Sequence, residues 1–250
     1  MATASLRARA EAGERLLGVL LRMPAEELVE MTAVAGFDFV LIDCEHGPDD
    51  VIALRQHVAA AALHGVPAIV RVGRGDHAAI LRVLDQGAQG IVAPHLDSPA
   101  EAAATVDAAH YPPLGNRGFA TYSRAGRFGE TDAAAHREWF RANTLVIGMI
   151  ESPGAVAGVD AILRTEGLDG LMIGPADLAA SSGPSDPPIA DAVSRVNRAV
   201  YAAAKLRMDI VPDPAAAQAA FESGAHLVVY NLAHSLMRHF RDLRGPVHGR

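Results

Sequence analysis

Short apolar runs alternate along this chain with stretches whose apolar residues recur every three or four positions. The runs fall at 16–21, 37–42, 68–72, 90–93, 145–150, 170–173, 209–211 and 226–230. They are too short for helices and too apolar for half-exposed strands, so they read as strands buried on both faces. Helical periodicity marks 25–35, 49–63, 77–85, 99–109, 133–141, 154–164, 189–205 and 214–222, with a last helix at 233–241. Alternation of this kind predicts parallel strands covered by outer helices. Eight such units in 250 residues predict a single-domain (β/α)8 TIM barrel, with a doubly wound open sheet as the alternative.

Two connections break the rhythm. Residues 111–131 hold three arginines and four glycines without a clear period, and 181–188 are rich in Ser and Pro. Both follow strands, so both belong at the C-terminal face of a barrel, where loops of that length carry function. Within the first, Gly115-Asn116-Arg117-Gly118-Phe119 is a weak candidate for an anion cradle.

Composition narrows the class. The net charge of −7 argues against a nucleic-acid partner. No apolar run approaches the ~20 residues of a membrane helix, and the N-terminus lacks a secretory core. One cysteine, Cys44, permits no internal disulfide and fits a reducing cytoplasm. The single lysine, Lys205, falls in an expected outer helix, so no Schiff-base lysine is available.

The chemistry gathers where strands end. The run 37–42 leads into Asp43-Cys44-Glu45-His46-Gly47-Pro48. Three ionisable groups are too costly to desolvate inside a sheet, so this strand ends at a wet pocket. The fifth run ends in Glu151, and the sixth leads into Gly174-Pro175-Ala176-Asp177. Glu151 and Asp177 stand 26 positions apart, about one β/α unit, which sets them at adjacent strand ends. Two such carboxylates suit a hard divalent cation, or each caps the helix that follows. Arg71 ends the third strand and suits a substrate carboxylate or enolate, or an ion pair with Glu45 or Glu151. His46, in a turn beside acids, is a candidate general base, with Asp43 its nearer partner in sequence. Asp85, before Gln86-Gly87, reads on its own as a surface acid. Other histidines, among them His57, His64 and His239, are expected on helix surfaces, and Cys44 in packing.

These residues carry a resemblance over nearly the whole chain. Its anchors are Gly36 to Pro48, Leu84 to Pro94, the segment Tyr111-Pro112-Pro113-Leu114-Gly115-Asn116-Arg117-Gly118, and Gly167 to Leu178. In them the chain resembles the metal-dependent class II pyruvate aldolases of the HpcH/HpaI family. The resemblance implies a (β/α)8 barrel in a homo-oligomer, a hexamer or trimer, with the C-terminal helix (about 233–243) exchanged between neighbours. It implies a divalent metal, Mg2+, Mn2+ or Co2+, on Glu151 and Asp177, chelated by pyruvate. Arg71 would hold the keto oxygen and stabilise the enolate. His46, supported by Asp43 or Asp85, would move protons. Gly174, Pro175, Ala176 and Asp177 would receive the pyruvate carboxylate, chiefly through backbone amides. The substrates implied are a 4-hydroxy-2-oxo acid and an aldehyde, with oxaloacetate-type decarboxylation or a barrel that binds without catalysis as alternatives. The chain departs from the pattern at Met149, where the family usually carries glutamine, and at Cys44, where glycine is common. It departs again at the end of the eighth strand, Tyr230-Asn231-Leu232-Ala233-His234, and in the loop between Arg117 and Arg127, which looks a residue shorter.

Overall fold

The computed structural model describes residues 4–47 and 50–245. Pro48, and Asp49 at the expected start of the second helix, lie outside the described residues. Eight parallel strands close into a barrel in sequence order, with the last paired to the first. They are β1 (Leu16–Leu21), β2 (Phe39–Asp43), β3 (Ala68–Arg71), β4 (Gly90–Ala93), β5 (Leu145–Ile150), β6 (Gly170–Ile173), β7 (Leu206–Val211) and β8 (Leu227–Asn231). Closure excludes the open-sheet alternative.

The helices, in order, are α1 (Leu6–Glu11), α2 (Glu26–Val34), α3 (Val51–Leu63), α4 (His77–Asp85), α5 (Pro99–Ala109), α6 (Ala133–Asn143), α7 (Pro153–Leu163), α8 (Pro175–Ser181), α9 (Ile189–Ala202), α10 (Pro214–Glu222) and α11 (Leu232–Arg244). Polar residues at strand exits start several of them. Ser98 and Ser152 cap α5 and α7 ahead of a first-turn proline, and Asp213 caps α10 in the same way.

The alternation of side chains builds two cores. Leu16, Leu20, Phe39, Leu41, Ile69, Leu145, Ile147, Met208 and Val229 fill the barrel. Val40, Ile42, Val70, Val146 and Ile150 point outward against Leu54, Val58, Val83, Val106, Val159 and Val196 of the helices. The Phe39 ring lies over its neighbour on the adjacent strand, 2.7 Å from where a β-carbon on Gly18 would be, so the Gly18–Phe39 pair fits by size. Each fully buried side chain of this kind is worth ~1.5–3 kcal/mol.

Two helices and part of a strand escape the sequence pattern. Helix α1 closes the N-terminal end of the barrel, burying Leu6 and Ala10 against its interior. Helix α8 is a short turn after β6. Strand β7 begins at Leu206, three residues before the expected 209, because Arg207 and Asp209 pair with each other on its outer side at 3.0 Å. His57 is buried rather than on the surface, and its Nε2 accepts from the Ala25 backbone N–H at the start of α2. Among the described residues no helix is long and apolar enough to cross a membrane.

Candidate active site

Strand parity delivers the polar groups. In β2 the inward rank runs Phe39, Leu41, Asp43; in β3 it runs Ile69, Arg71; from β5 it runs Leu145, Ile147, Met149, Glu151. Each rank of hydrophobic residues thus ends in a charge at the C-terminal mouth, the face that carries chemistry in such barrels. Asp43 and Arg71 are direct neighbours in the β2–β3 register.

Arg71 is 5% exposed and gripped on one edge. Its Nε donates to Asp43 Oδ1 at 2.8 Å and its Nη2 to Asp43 Oδ2 at 2.5 Å, a bidentate fork. Arg22 Nε donates to the same Asp43 Oδ2 at 2.7 Å, and the backbone N–H groups of Glu45 and His46 donate to Oδ1. Burial works to raise the Asp43 pKa, but the hydrogen bond and charge of Arg71, with Arg22 and the His46 amide, prevail and hold it at about 2. The other edge of Arg71 is loosely held. Nη1 lies 3.1 Å from Glu45 Oε2 without hydrogen-bond alignment and 3.9 Å from the Met149 sulfur. Methionine at the glutamine position therefore leaves this N–H edge with a weak acceptor and room for a substrate oxygen.

Glu151 is 2% exposed, and its Oε2 accepts from the His95 backbone N–H at 2.8 Å. Burial pushes its carboxyl upward in pKa; the His95 amide and imidazole oppose this, and the charges of Glu45 and Asp177 add to it. The other oxygen, Oε1, faces Gly174. A β-carbon at Gly174 would press on Oε1 and come within 2.7 Å of Glu151 Cγ, so this close approach needs glycine. The capping alternatives fail: Ser152 caps α7, and Asp177 is the third residue of α8, whose N-cap is Gly174 with no side-chain cap. Carboxylates crowded together, one of them buried, are a donor set that a hard divalent cation relieves. No group of three His, Cys, Asp or Glu residues gathers as a metal cage among the described residues. A cation here would draw its remaining ligands from substrate and water, as an open catalytic site does.

A cavity of about 330 Å3 at the mouth brings together Arg71, Gly174, Pro175, Ala176 and Asp177. Leu20, Leu41, Met149, Met172 and Ile210 wall it, with Asn231 and His234 from the end of β8 at its edge. A larger space of about 1160 Å3 lies at the opposite end, around Arg7, Asp169 and Lys205, away from these groups.

Other expected residues stand elsewhere. The His46 imidazole is exposed at the rim, and only its backbone N–H meets Asp43, at 3.3 Å. The Asp85 carboxylate takes Arg117 Nη2 at 2.6 Å within this chain. Arg117, expected as part of an anion cradle, is buried over the rings of Tyr111 and Phe140 at 4.8 and 4.4 Å, and Asn116 is tied to Asp107. Cys44 packs in the outer core as expected. Sequence reading missed Arg22, which holds Asp43 and lines the cavity, and His95, which contacts both Glu45 and Glu151. The one signal for His95 is position, two residues past β4.

A closed parallel barrel with a guanidinium and converging carboxylates at its C-terminal mouth is the layout of a barrel enzyme. The profile of the HpcH/HpaI aldolase/citrate lyase family matches residues 17–239. The chain is 34% identical over 237 residues to the 2-keto-3-deoxy-L-rhamnonate aldolase of Salmonella gallinarum, covering 93% of this chain and 88% of that one. It superposes on an HpcH/HpaI aldolase/citrate lyase family protein of Burkholderia cenocepacia with a TM-score of 0.87 and 32% identity, covering 99% and 100% of the two chains. The citrate synthase SbnG is similar at a TM-score of 0.83 and 26% identity, with 94% of each chain covered. The chain belongs to the HpcH/HpaI aldolase/citrate lyase family.

Proposed function

We propose that Glu151 and Asp177 hold a divalent cation, Mg2+, Mn2+ or Co2+, for reversible aldol cleavage of a 4-hydroxy-2-oxo acid to pyruvate and an aldehyde. The protein is a carbon–carbon lyase by family. The observation that carries the site assignment is the single cavity onto which Arg71, Gly174 and Asp177 open, with Glu151 packed against Gly174.

Bound there, the cation supplies Lewis-acid polarisation of the 2-oxo acid. Arg71 donates from Nη1 to the keto oxygen, and the bond strengthens as that oxygen gains charge with cleavage of the C3–C4 bond. Stabilisation that grows toward the enolate is what accelerates the step. Asp43 acts through Arg71 by fixing its fork. The N–H groups of Ala176 and Asp177, in the first turn of α8, have no intrahelical acceptor and receive the substrate carboxylate. His46 takes the proton from the 4-hydroxyl and returns one to the enolate carbon, with Asp43 holding its backbone. Asp43 or Asp85 supports it: Asp43 accepts from the His46 backbone N–H, and Asp85 is paired with Arg117 within this chain. Asn231 and His234 at the cavity's edge suit the hydroxylated aldehyde of a 2-keto-3-deoxy sugar acid, the substrate class in the Salmonella relative's name.

Helix α11 buries none of its residues fully, and Met237, Phe240 and Leu243 form an exposed apolar stripe along it. This supports a homo-oligomer in which the helix docks on a neighbour. The single buried cysteine fits the cytoplasm. Phe240→Glu is expected to lower the oligomeric mass seen by light scattering, and an unchanged mass would remove the helix from the interface.

The test of function is pyruvate release from 4-hydroxy-2-oxo acids and oxaloacetate, with chelator and then with each cation. Release from a hydroxy-oxo acid, lost with chelator and restored by metal, is expected. Release from oxaloacetate alone would assign a decarboxylase instead, and no release from any substrate would refute the catalytic reading.

A further inference from the structure

His95 holds a conformation that its side chain does not favour. It follows β4 by two residues and has φ +50°, the left-handed region where a β-carbon is strained and glycine or asparagine is at ease. A residue kept against such strain at a site mouth points to a role for its side chain. The backbone around it is pinned: its own N–H donates to Glu151 Oε2 at 2.8 Å, and the Leu96 N–H donates to the Met149 carbonyl at 3.0 Å.

The imidazole stands between two carboxylates. Nδ1 lies 3.6 Å from Glu151 Oε2, and Nε2 lies 3.9 Å from Glu45 Oε1. Both are ion-pair distances rather than hydrogen bonds. Glu45 Oε2 faces Arg71 Nη1 on its other side at 3.1 Å. A chain of alternating groups therefore runs around the mouth from Asp43 through Arg71, Glu45 and His95 to Glu151. Without the imidazole, Glu45 and Glu151 would face each other directly, and their repulsion would turn Glu151 away from Gly174.

We propose that His95 is a positioning residue for Glu151. Its N–H and imidazole hold Oε2 and keep Glu45 apart, so that Oε1 stays turned toward Gly174 and the cation. The inference rests on the assignment of the cation to Glu151 and Asp177. It adds a residue whose neighbour Met149 offers the site no charged or strongly polar support.

His95→Gly separates the two contributions. Glycine accepts the positive φ and keeps the N–H donor, so this variant loses the imidazole alone. Mn2+ binding to the full-length, natively assembled protein is read from the EPR signal of the free aqua ion. The Kd of His95→Gly is expected to rise about 10- to 100-fold, the usual effect of losing a group that orients a metal ligand. His95→Asn, at ease in the same conformation and still polar, is expected to fall between. In turnover, the loss is expected in the Mn2+ concentration needed for half activity, with kcat largely regained at saturation. Native Mn2+ affinity in His95→Gly would overturn the proposal, as would a kcat that stays low at saturating metal with affinity unchanged. Glu151→Gln is the reference. If it binds Mn2+ as the native protein does, or if the native protein binds none, the cation assignment itself fails. That result is distinct from a failure confined to His95.

Discussion

Arg71 shows how much one side chain's value depends on its neighbours. Nε and Nη2 are spent on Asp43, which leaves Nη1, 3.1 Å from Glu45 Oε2, as the edge outside that fork on a residue that lines the cavity. A lysine has no fork and would trade this arrangement for a single flexible ammonium. Arg71→Lys is therefore expected to lower kcat by about 10²–10³-fold, the usual cost of losing one donor to a developing oxyanion. Near-native turnover in a folded Arg71→Lys protein would take Arg71 out of the chemistry. At this scale the sequence is legible through parity. Asp43 stands two and four positions after Leu41 and Phe39, and Glu151 two, four and six after Met149, Ile147 and Leu145. Counting by twos from an interior residue therefore predicts the charges that reach the mouth. Parity did not reveal the pairing of Asp85 with Arg117, or the place of His95. Asp85 ends a helix and Arg117 lies in the long loop, where strand parity does not reach, and His95 sits where φ turns positive.

At the scale of elements, the strands were readable because both of their faces are buried. Long apolar runs such as 145–150 leave no alternative to a central strand, and the structure places β5 there with all six residues buried. Elements with mixed faces were harder. The start of β7 was hidden because Arg207 and Asp209 satisfy each other on its outer side. Helix α8 was hidden because seven residues cannot show a period, though the Gly-Pro that opens it is a helix-start signal. The β6–α8 junction has a consequence that can be measured. Gly174→Ala introduces a β-carbon against Glu151, a buried side chain with little freedom to move aside. The variant is expected to fold, since the clash is with a side-chain end and not with backbone, and to bind Mn2+ at least about tenfold more weakly. Competition against a fluorescent chelator reads the affinity. An unaltered constant would show that Glu151 is not held where the cation is assigned.

At the scale of the whole molecule, the two ends of the barrel answer pH in opposite senses. Asp43 at the mouth has a pKa of about 2 when folded, below its ordinary 3.8. The stability it contributes is present above 3.8 and is lost as pH falls toward 2. Asp169, at the N-terminal end beside Arg7 at 2.9 Å, behaves in reverse. Burial pushes its pKa up to about 6, against the opposing pull of Arg7, the Val146 N–H and Lys205. Between pH 3.8 and 6 the folded chain keeps a proton there that the unfolded chain has lost. Stability from this group is therefore complete below 3.8 and declines as pH rises through 6, by about 3 kcal/mol in all. Asp169→Asn retains an acceptor for Val146 and removes the titration. Urea unfolding at pH 4 and pH 7 is expected to show the native protein losing about 2 kcal/mol more than the variant between the two, most of the full effect. Equal losses in both proteins would mean that Arg7 holds Asp169 ionised throughout. The site and the closed end are separated by the length of the barrel, so this substitution should leave Mn2+ affinity at the mouth unchanged. Stability and chemistry in this fold would then be adjustable independently.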